Sequence, residues 1–448
     1  MKKIPSLILA SLMLAGAGAS FVGCSSADYT LTVYNWNEYI DEGGKDGYDY
    51  EVNGVKADAL YKRFAAWYEE QTGVKVKIEY AIFETNEEFY NKVTLGEQYD
   101  LACPSDYMIM KMAAEGLLTT YDASFYDTSI ETNYYAKNVS AYIDNVFRSN
   151  KIGNQTWADY AAGYMWGTTG LIYNPEVVKE EDLTTWAILS NSAYRNKITT
   201  KDNVRDSYFA ALAIYHEEEL LSLKARFEAG EISYDDYNAR VTALMNDTTD
   251  ETISAVEKIL NDVAKNIYGF ETDSGKEDFI TGKISINFAW SGDAVYAMDV
   301  AEEDGMITCY AIPETASNLW FDGWVMSKEI SPEKKVIAQA FVNFLSMPEN
   351  AVRNCYYVGY TPVIAGEEMF EYMLDTYGVE EGDAVEAEYD VSYFFGEGHT
   401  IGTYEDQLSR QLFAQYPTED VLSRLAVMGY CDAETNTRLN NMWTNIKG

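Results

Sequence analysis

Apolar residues recur along this chain with two alternating periods, one near two residues and one near 3.6. Leu31-Thr32-Val33-Tyr34 reads as a buried strand. Residues 43–54 are rich in Gly and Asp and predict a loop. Over 57–71, Leu60, Phe64, Ala65 and Trp67 define one helical face, with Gly73 as the stop. Residues 74–80 alternate as a strand, and Thr85-Asn86-Glu87-Glu88 has the form of a capping box opening the next helix. A short strand over 101–104 precedes a helix over 107–114. A second set begins near Trp166, with strands at 171–173, 197–199, 284–289 and 307–312. Between them lie a helix over 205–215 and a charged helical stretch over 217–260, broken at Gly230. Ser331-Pro332-Glu333 caps a helix whose apolar face runs through Val336, Ile337, Ala340, Phe341, Phe344 and Leu345. Strand and helix alternate, so the expected class is α/β with a parallel sheet. No Gly/Ser/Pro-rich linker divides the chain, which predicts two lobes between which the chain crosses more than once.

The first residues are read as a processing signal rather than as fold. Lys2 and Lys3 precede the apolar run 4–14, and small residues lead to Phe21-Val22-Gly23-Cys24. That pattern predicts a signal peptide over 1–23 and lipidation at Cys24, with a tether over 24–28. Phe21 departs from the usual Leu of such a lipobox. The run is short for a membrane span of about 20 residues, and no later stretch reaches that length. The 448 residues suit two domains better than one. The formal net charge of −39 disfavours nucleic acid and anionic lipid and concentrates cations near the surface. Apart from Cys24, the cysteines are Cys103, Cys309, Cys355 and Cys431, too widely spaced for a zinc site. Isolated buried thiols are the simpler reading, and any disulfide pairing stays open.

Catalytic signatures are absent. Only two histidines occur: His216, expected to be solvated at a helix end, and His399, in the loop Gly396-Glu397-Gly398-His399. Neither belongs to a metal pair, and no nucleophile elbow or dinucleotide motif is present. What recurs instead is an aromatic residue beside an acid or hydroxyl: Trp36-Asn37-Glu38-Tyr39, Ser105-Asp106-Tyr107, Trp290-Ser291-Gly292-Asp293, Trp320-Phe321-Asp322 and Tyr360-Thr361-Pro362. Each follows an apolar strand-like run or a helix end, and open α/β sheets bind ligands beyond the carboxyl ends of their strands. One such Trp or Tyr alone is more often core packing. The joint recurrence suits an aliphatic polyamine, whose ammonium groups need carboxylates and whose methylenes need aromatic walls, at about 0.5–2 kcal/mol per cation–π contact.

These clusters resemble the spermidine/putrescine-binding proteins of ABC importers. Further matches are Glu84-Thr85-Asn86-Glu87, Tyr99-Asp100-Leu101, Trp166-Gly167-Thr168, Val204-Arg205-Asp206 and Gly359-Tyr360-Thr361-Pro362. The resemblance implies a two-lobed, type II periplasmic-binding-protein-like fold with a hinge and an interlobe ligand cleft. Lobe 1 would comprise 29–166 plus 320–369, and lobe 2 would comprise 167–319 plus 370–448. It implies no catalysis and no cofactor or metal. Trp36, Trp290 and Trp320 would box the carbon chain, with Tyr39, Tyr107 and Tyr360 as walls or hydroxyl contacts. Asp322 and Asp206 would pair with ammoniums, with Asp293 as a further acid. Ser105 and Asn37 would hydrogen-bond an amine, with Glu38 and Asp106 beside them and Gln415 as a late contact. The implied partners are a polyamine and the permease subunits of a transporter. The protein would be an extracytoplasmic monomer, held to a bacterial membrane by its N-terminal lipid only and binding no nucleic acid.

Several departures leave the preferred polyamine open. Asn203 stands where spermidine binders carry an acid, with Asp202 adjacent, and Asp206 replaces a Glu. Tyr107 and Glu38 resemble the spermidine type, whereas Asp293 resembles the putrescine type. Apparent insertions lie near 41–53 and 217–246, read as surface loop and charged helix. Another small solute such as an amino acid or sugar, or a role as surface sensor or adhesin, is the alternative.

Overall fold

The computed structural model describes residues 27–272 and 274–448. The predicted signal peptide, Cys24 and most of the tether lie outside the described residues. Eight strands form the spine of the principal sheet: β1 (Tyr29–Trp36), β2 (Val76–Phe83), β3 (Leu101–Ala102), β4 (Ala161–Tyr173), β5 (Ile198–Lys201), β6 (Gly269–Glu271), β7 (Ile286–Trp290) and β8 (Ser317–Ser327). Their order is β2-β1-β3-β8-β4-β7-β5-β6. Within each wing, β2-β1-β3 and β7-β5-β6, the strands are parallel. The junctions β3–β8, β8–β4 and β4–β7 are antiparallel.

The sheet is therefore mixed, which corrects the all-parallel expectation. Parallel neighbours need a helical crossover, and each wing has them; the two long strands instead carry the chain between the wings in opposite directions. Both β4 and β8 are buried along their whole length. A strand buried on both faces reads as a continuous apolar run, as 161–173 does.

Two hydrophobic clusters make up the core. One holds the first wing and the residues around the crossing strands; the other packs Leu212, Tyr237, Val256 and Leu260 against one face of the second wing. Alternation along β4 places Leu171 in one cluster and Ile172 in the other, since successive side chains leave a strand on opposite faces. The buried apolar residues between Met373 and Leu425 enter the first cluster, and Leu439 and Met442 the second.

Local chemistry explains most elements. Gly73 ends the helix Leu60–Thr72 at φ 74°, a left-handed value at which Gly carries no side-chain penalty. The Thr85 hydroxyl accepts the Glu88 N–H at 3.0 Å, while the Glu88 carboxylate caps the Glu84 N–H at 2.8 Å, one residue before the predicted position. Ser331 caps Pro332–Leu345, whose Ile337, Phe341, Phe344 and Leu345 are buried; Val336 is 55% exposed and leaves the predicted face.

Residues 43–54 are not all loop. Tyr48–Asn53 forms a short helix, and Asp49 fixes it by ion pairs with Arg63 at 2.7 Å and Arg353 at 3.0 Å. The stretch 217–260 resolves into helices Glu217–Glu228, Tyr234–Met245 and Asp250–Asn266. His216 is half-buried rather than solvated, with its Nε2 3.8 Å from Asp247; burial lowers its pKa. Cys103, Cys309, Cys355 and Cys431 are all free thiols. No helix among the described residues is long and apolar enough to cross a membrane.

Candidate functional site

The carboxyl ends of β3 and β7 arrive from opposite sides at the crossing strands. Ala102 pairs with Val325 of β8, and Trp290 pairs with Thr169 of β4. Trp320 and Asp322 lie two apart on β8 and share a face, while Phe321 between them is fully buried on the other. They stand mid-strand and not at a strand end, as their sequence context suggested. The β4–β8 register shifts between Phe321 and Gly323, and a bridge joins Asp322 to Ser105 just beyond β3. Gly167 faces Trp320: a Cβ there would lie 2.3 Å from the Ser291 hydroxyl and 2.5 Å from the Trp320 ring, so only Gly permits the approach.

A continuous set of contacts starts at Asp322. Its Oδ2 accepts the Tyr39 hydroxyl at 2.8 Å, while its Oδ1 is buried without a hydrogen-bond partner. Burial pushes the carboxyl up to about 6, against the neighbouring Ser105 and Tyr39 hydroxyls, which favour its charged form. Burial also pushes the Tyr39 phenol up, with the Asp322 charge adding to it. The turn before Tyr39 runs through Asn37 and Glu38, both exposed; Glu38 takes a left-handed φ of 50°. The Tyr39 carbonyl accepts from Tyr164 at 2.7 Å and Asn35 at 3.2 Å, which fixes the residue. Edge-to-face packing carries the network on: Tyr39 to Tyr360 at 5.4 Å, and Tyr360 to Trp320 at 5.6 Å between centroids.

Tyr360 then reaches across to the second wing. Its hydroxyl donates to Asp293 Oδ1 at 3.1 Å. Gly292 makes room for the ring, since a Cβ there would sit 2.3 Å from Tyr360 atoms. Lys276 Nζ donates to the same Asp293 oxygen at 3.1 Å, and Lys201 Nζ lies 3.6 Å from the other. Burial pushes the Asp293 carboxyl up, but Lys276 and Lys201 together outweigh it and hold the pKa below the ordinary value. Lys201 is 1% exposed; its ammonium sits 4.0 Å from the Trp290 ring centroid and 3.8 Å from Glu271, and donates to the Thr272 carbonyl at 3.0 Å. Asp206 is buried nearby, and burial raises its carboxyl to about 6 against the Lys201 charge and the Trp290 indole.

Arg205, beside Asp206, stacks over the Tyr107 ring at 4.9 Å. The Tyr107 hydroxyl donates to Glu87 at 3.1 Å and accepts from Asn86 at 3.0 Å. Ser105 is anchored by its backbone N–H, which donates to Asn86 at 3.0 Å. Trp36 ends β1 against Phe83 at 4.6 Å, and its indole N–H, like that of Trp320, is buried without a hydrogen-bond partner.

Other candidates have structural partners. Both Asp106 oxygens accept backbone N–H groups, from Tyr107 at 2.6 Å and Phe321 at 3.0 Å, so this acid ties β8 to the turn after β3. The Gln415 amide donates to the Gly359 carbonyl at 3.1 Å and accepts from Tyr377 at 3.2 Å, supporting the turn that presents Tyr360. Asn203 caps the helix Val204–Tyr215 through the Arg205 N–H at 2.8 Å. Asp202 is exposed and pairs with Lys447 at 2.7 Å. Sequence reading missed the buried Lys201 and Glu271 and the half-buried Lys276. Lys201 carried a usable signal, a cation at the carboxyl end of the strand-like run Ile198-Thr199-Thr200, where ligands sit.

Comparison with known proteins decides the family. The model of the bacterial extracellular solute-binding proteins matches residues 63–368, more than half of the chain. The chain belongs to this family. Its members bind solutes and do not turn them over. The chain is 25% identical over 364 residues to the spermidine/putrescine-binding periplasmic protein of Salmonella typhimurium, covering 80% of this chain and 85% of the relative. It is 24% identical to the putrescine-binding periplasmic protein SpuD of Pseudomonas aeruginosa, over 100% of this chain and 99% of the relative. A spermidine/putrescine ABC transporter substrate-binding protein from Streptococcus pneumoniae shares the fold, with a TM-score of 0.59, 24% identity, and coverage of 94% and 99%. These bacterial extracellular solute-binding proteins have the two-lobed α/β architecture, and this chain shares it.

Proposed function

We propose that this protein is the extracytoplasmic component of an ABC importer and captures polyamines such as putrescine or spermidine for delivery to permease subunits. The observation that carries the reading is Asp322: a buried carboxylate with one free oxygen, set against the ring of Tyr39 and neighbouring the Trp320–Tyr360 pair. A charged ammonium satisfies such an oxygen, and the rings cover the methylenes beside it. A neutral sugar or amide would leave the carboxylate without a counter-charge. Relatives named for spermidine and putrescine binding support the same ligand class.

In this reading Trp36, Trp290 and Trp320 line the cleft, Tyr39, Tyr107 and Tyr360 wall it, and Asp322, Asp206 and Asp293 set its charge. The lobes meet along β4 and β8, and ligand closes one on the other. Lobe 1 is built on 29–166 plus 320–369 and lobe 2 on 167–319 plus 370–448. The N-terminal signal would export the chain, and a lipid on Cys24 would hold a monomer at the outer face of the membrane.

Calorimetric titration of residues 27–448, stripped of ligand by unfolding and refolding, tests the reading with putrescine, cadaverine, spermidine and spermine. Micromolar or tighter binding of one ligand per chain is expected, and Asp322→Asn should weaken it about 100-fold or more. Absence of heat with all four, in folded protein and at two temperatures, would sink the polyamine assignment.

A further inference from the structure

The acids of this site are already met, on one side, by cations of the chain itself. Four buried carboxylates take part: Asp206, Glu271, Asp293 and Asp322. Two lysines stand among them. Lys201 is buried to the same degree as core apolar residues, and its ammonium lies over the Trp290 ring within 4 Å of both Glu271 and Asp293. A cation over an indole face between carboxylates is the environment that a polyamine ammonium requires. Lys276 donates to the same Asp293 oxygen as the hydroxyl of Tyr360.

We propose that Lys201, assisted by Lys276, is a tethered ammonium that fills the cation subsite at Trp290 and Asp293, so that the cleft selects a diammonium ligand over a triammonium one. This assignment rests on the polyamine reading. Lys201 and Lys276 offset two of these four carboxylates, so fewer negative charges remain than the three that a triamine neutralises. Arg205, stacked on Tyr107 next to Asp206, adds positive potential where a third ammonium would have to lie. The free oxygen of Asp322 remains the anchor at the other end. Asn203 is consistent with this division: at a position where the resemblance leads one to expect an acid, it caps a helix and contributes no charge.

The test compares putrescine with spermidine by calorimetry in the wild-type protein, Lys201→Met and Lys276→Met. Wild type should favour putrescine by about tenfold or more, and each variant should move the affinity ratio towards spermidine by about tenfold or more. Lys276 is partly exposed, so its replacement keeps the test open should Lys201→Met fail to fold. An unchanged ratio in a folded variant that still binds either ligand would overturn the tethered-ammonium assignment and leave the polyamine reading intact. Wild-type protein that binds neither ligand would overturn both.

Discussion

At the scale of single residues, the site trades stability for charge. Burial holds Asp322 at about 6 in the folded protein, above its ordinary 3.8. A raised carboxyl favours the native state where it is protonated; that contribution is complete below about pH 4 and lost as pH rises through 6. At neutral pH the ionised carboxylate therefore opposes folding, by about 3 kcal/mol at two pKa units. Asp322→Asn should make the ligand-free protein more stable at pH 7.5, in urea unfolding, with the gain gone by pH 4. Ligand reverses the sign, because an ammonium needs the ionised form. Near pH 6 binding should thus release protons, seen as a calorimetric heat that varies with the ionisation enthalpy of the buffer; near pH 8 that variation should vanish. Gly292 tests geometry instead of charge. In Gly292→Ala the new methyl displaces the Tyr360 ring, and affinity should fall about tenfold or more with little change in melting temperature. Aromatic–acid pairs such as Trp290 with Asp293 were legible in the sequence because both partners sit close along the chain. The pairing of Lys201 was not, since its partners Glu271 and Asp293 lie 70 and 92 positions away, although its place at the end of a strand-like run was visible.

At the scale of elements, the sequence was read well where local rules act and poorly where distant pairing decides. Gly73, Thr85 and Ser331 each end or open a helix where predicted, because caps depend on a few neighbouring residues. The direction of β8 against β3 and β4 depends on partners far along the chain, and so the parallel expectation failed at both junctions. The short helix Tyr48–Asn53 escaped because six residues give no period and its anchor, Arg353, lies 304 positions away. The insertion over 217–246 was read as a charged helix; it forms two helices, and they bury Leu220, Leu223, Tyr237, Val241 and Met245. Tyr237 stacks on Phe227 at 4.7 Å, and Asn246 holds the Val427 carbonyl at 3.0 Å, so these helices clasp the C-terminal segment. Tyr237→Ala should destabilise the protein by about 3 kcal/mol in denaturant unfolding, as large core truncations do. Polyamine affinity measured well below the new midpoint should stay unchanged, because the clasp touches none of the site residues. A loss under 0.5 kcal/mol, roughly the effect of an ordinary surface substitution, would mean that these helices take no part in holding the fold.

At the scale of the whole molecule, a net charge of −39 surrounds a site whose buried acids are offset only in part by Lys201 and Lys276. The two layers act on different steps. Surface charge attracts a small cation over distances comparable with the Debye length and raises its rate of encounter. Contacts with Asp322 and the rings act only after the ligand is seated, and they set how slowly it leaves. Salt separates the two. Raising ionic strength from about 10 mM to about 150 mM shortens the screening length from roughly 30 Å to roughly 8 Å, while buried pairs are screened far less. Stopped-flow tryptophan fluorescence should therefore show the association rate of a diamine falling about tenfold or more over this range, with its dissociation rate changing less than about twofold. Spermidine, with one more charge, should show the steeper fall in association rate even where its affinity is lower. An association rate indifferent to salt would mean that the acidic surface plays no part in capture and that the cleft alone recruits its ligand.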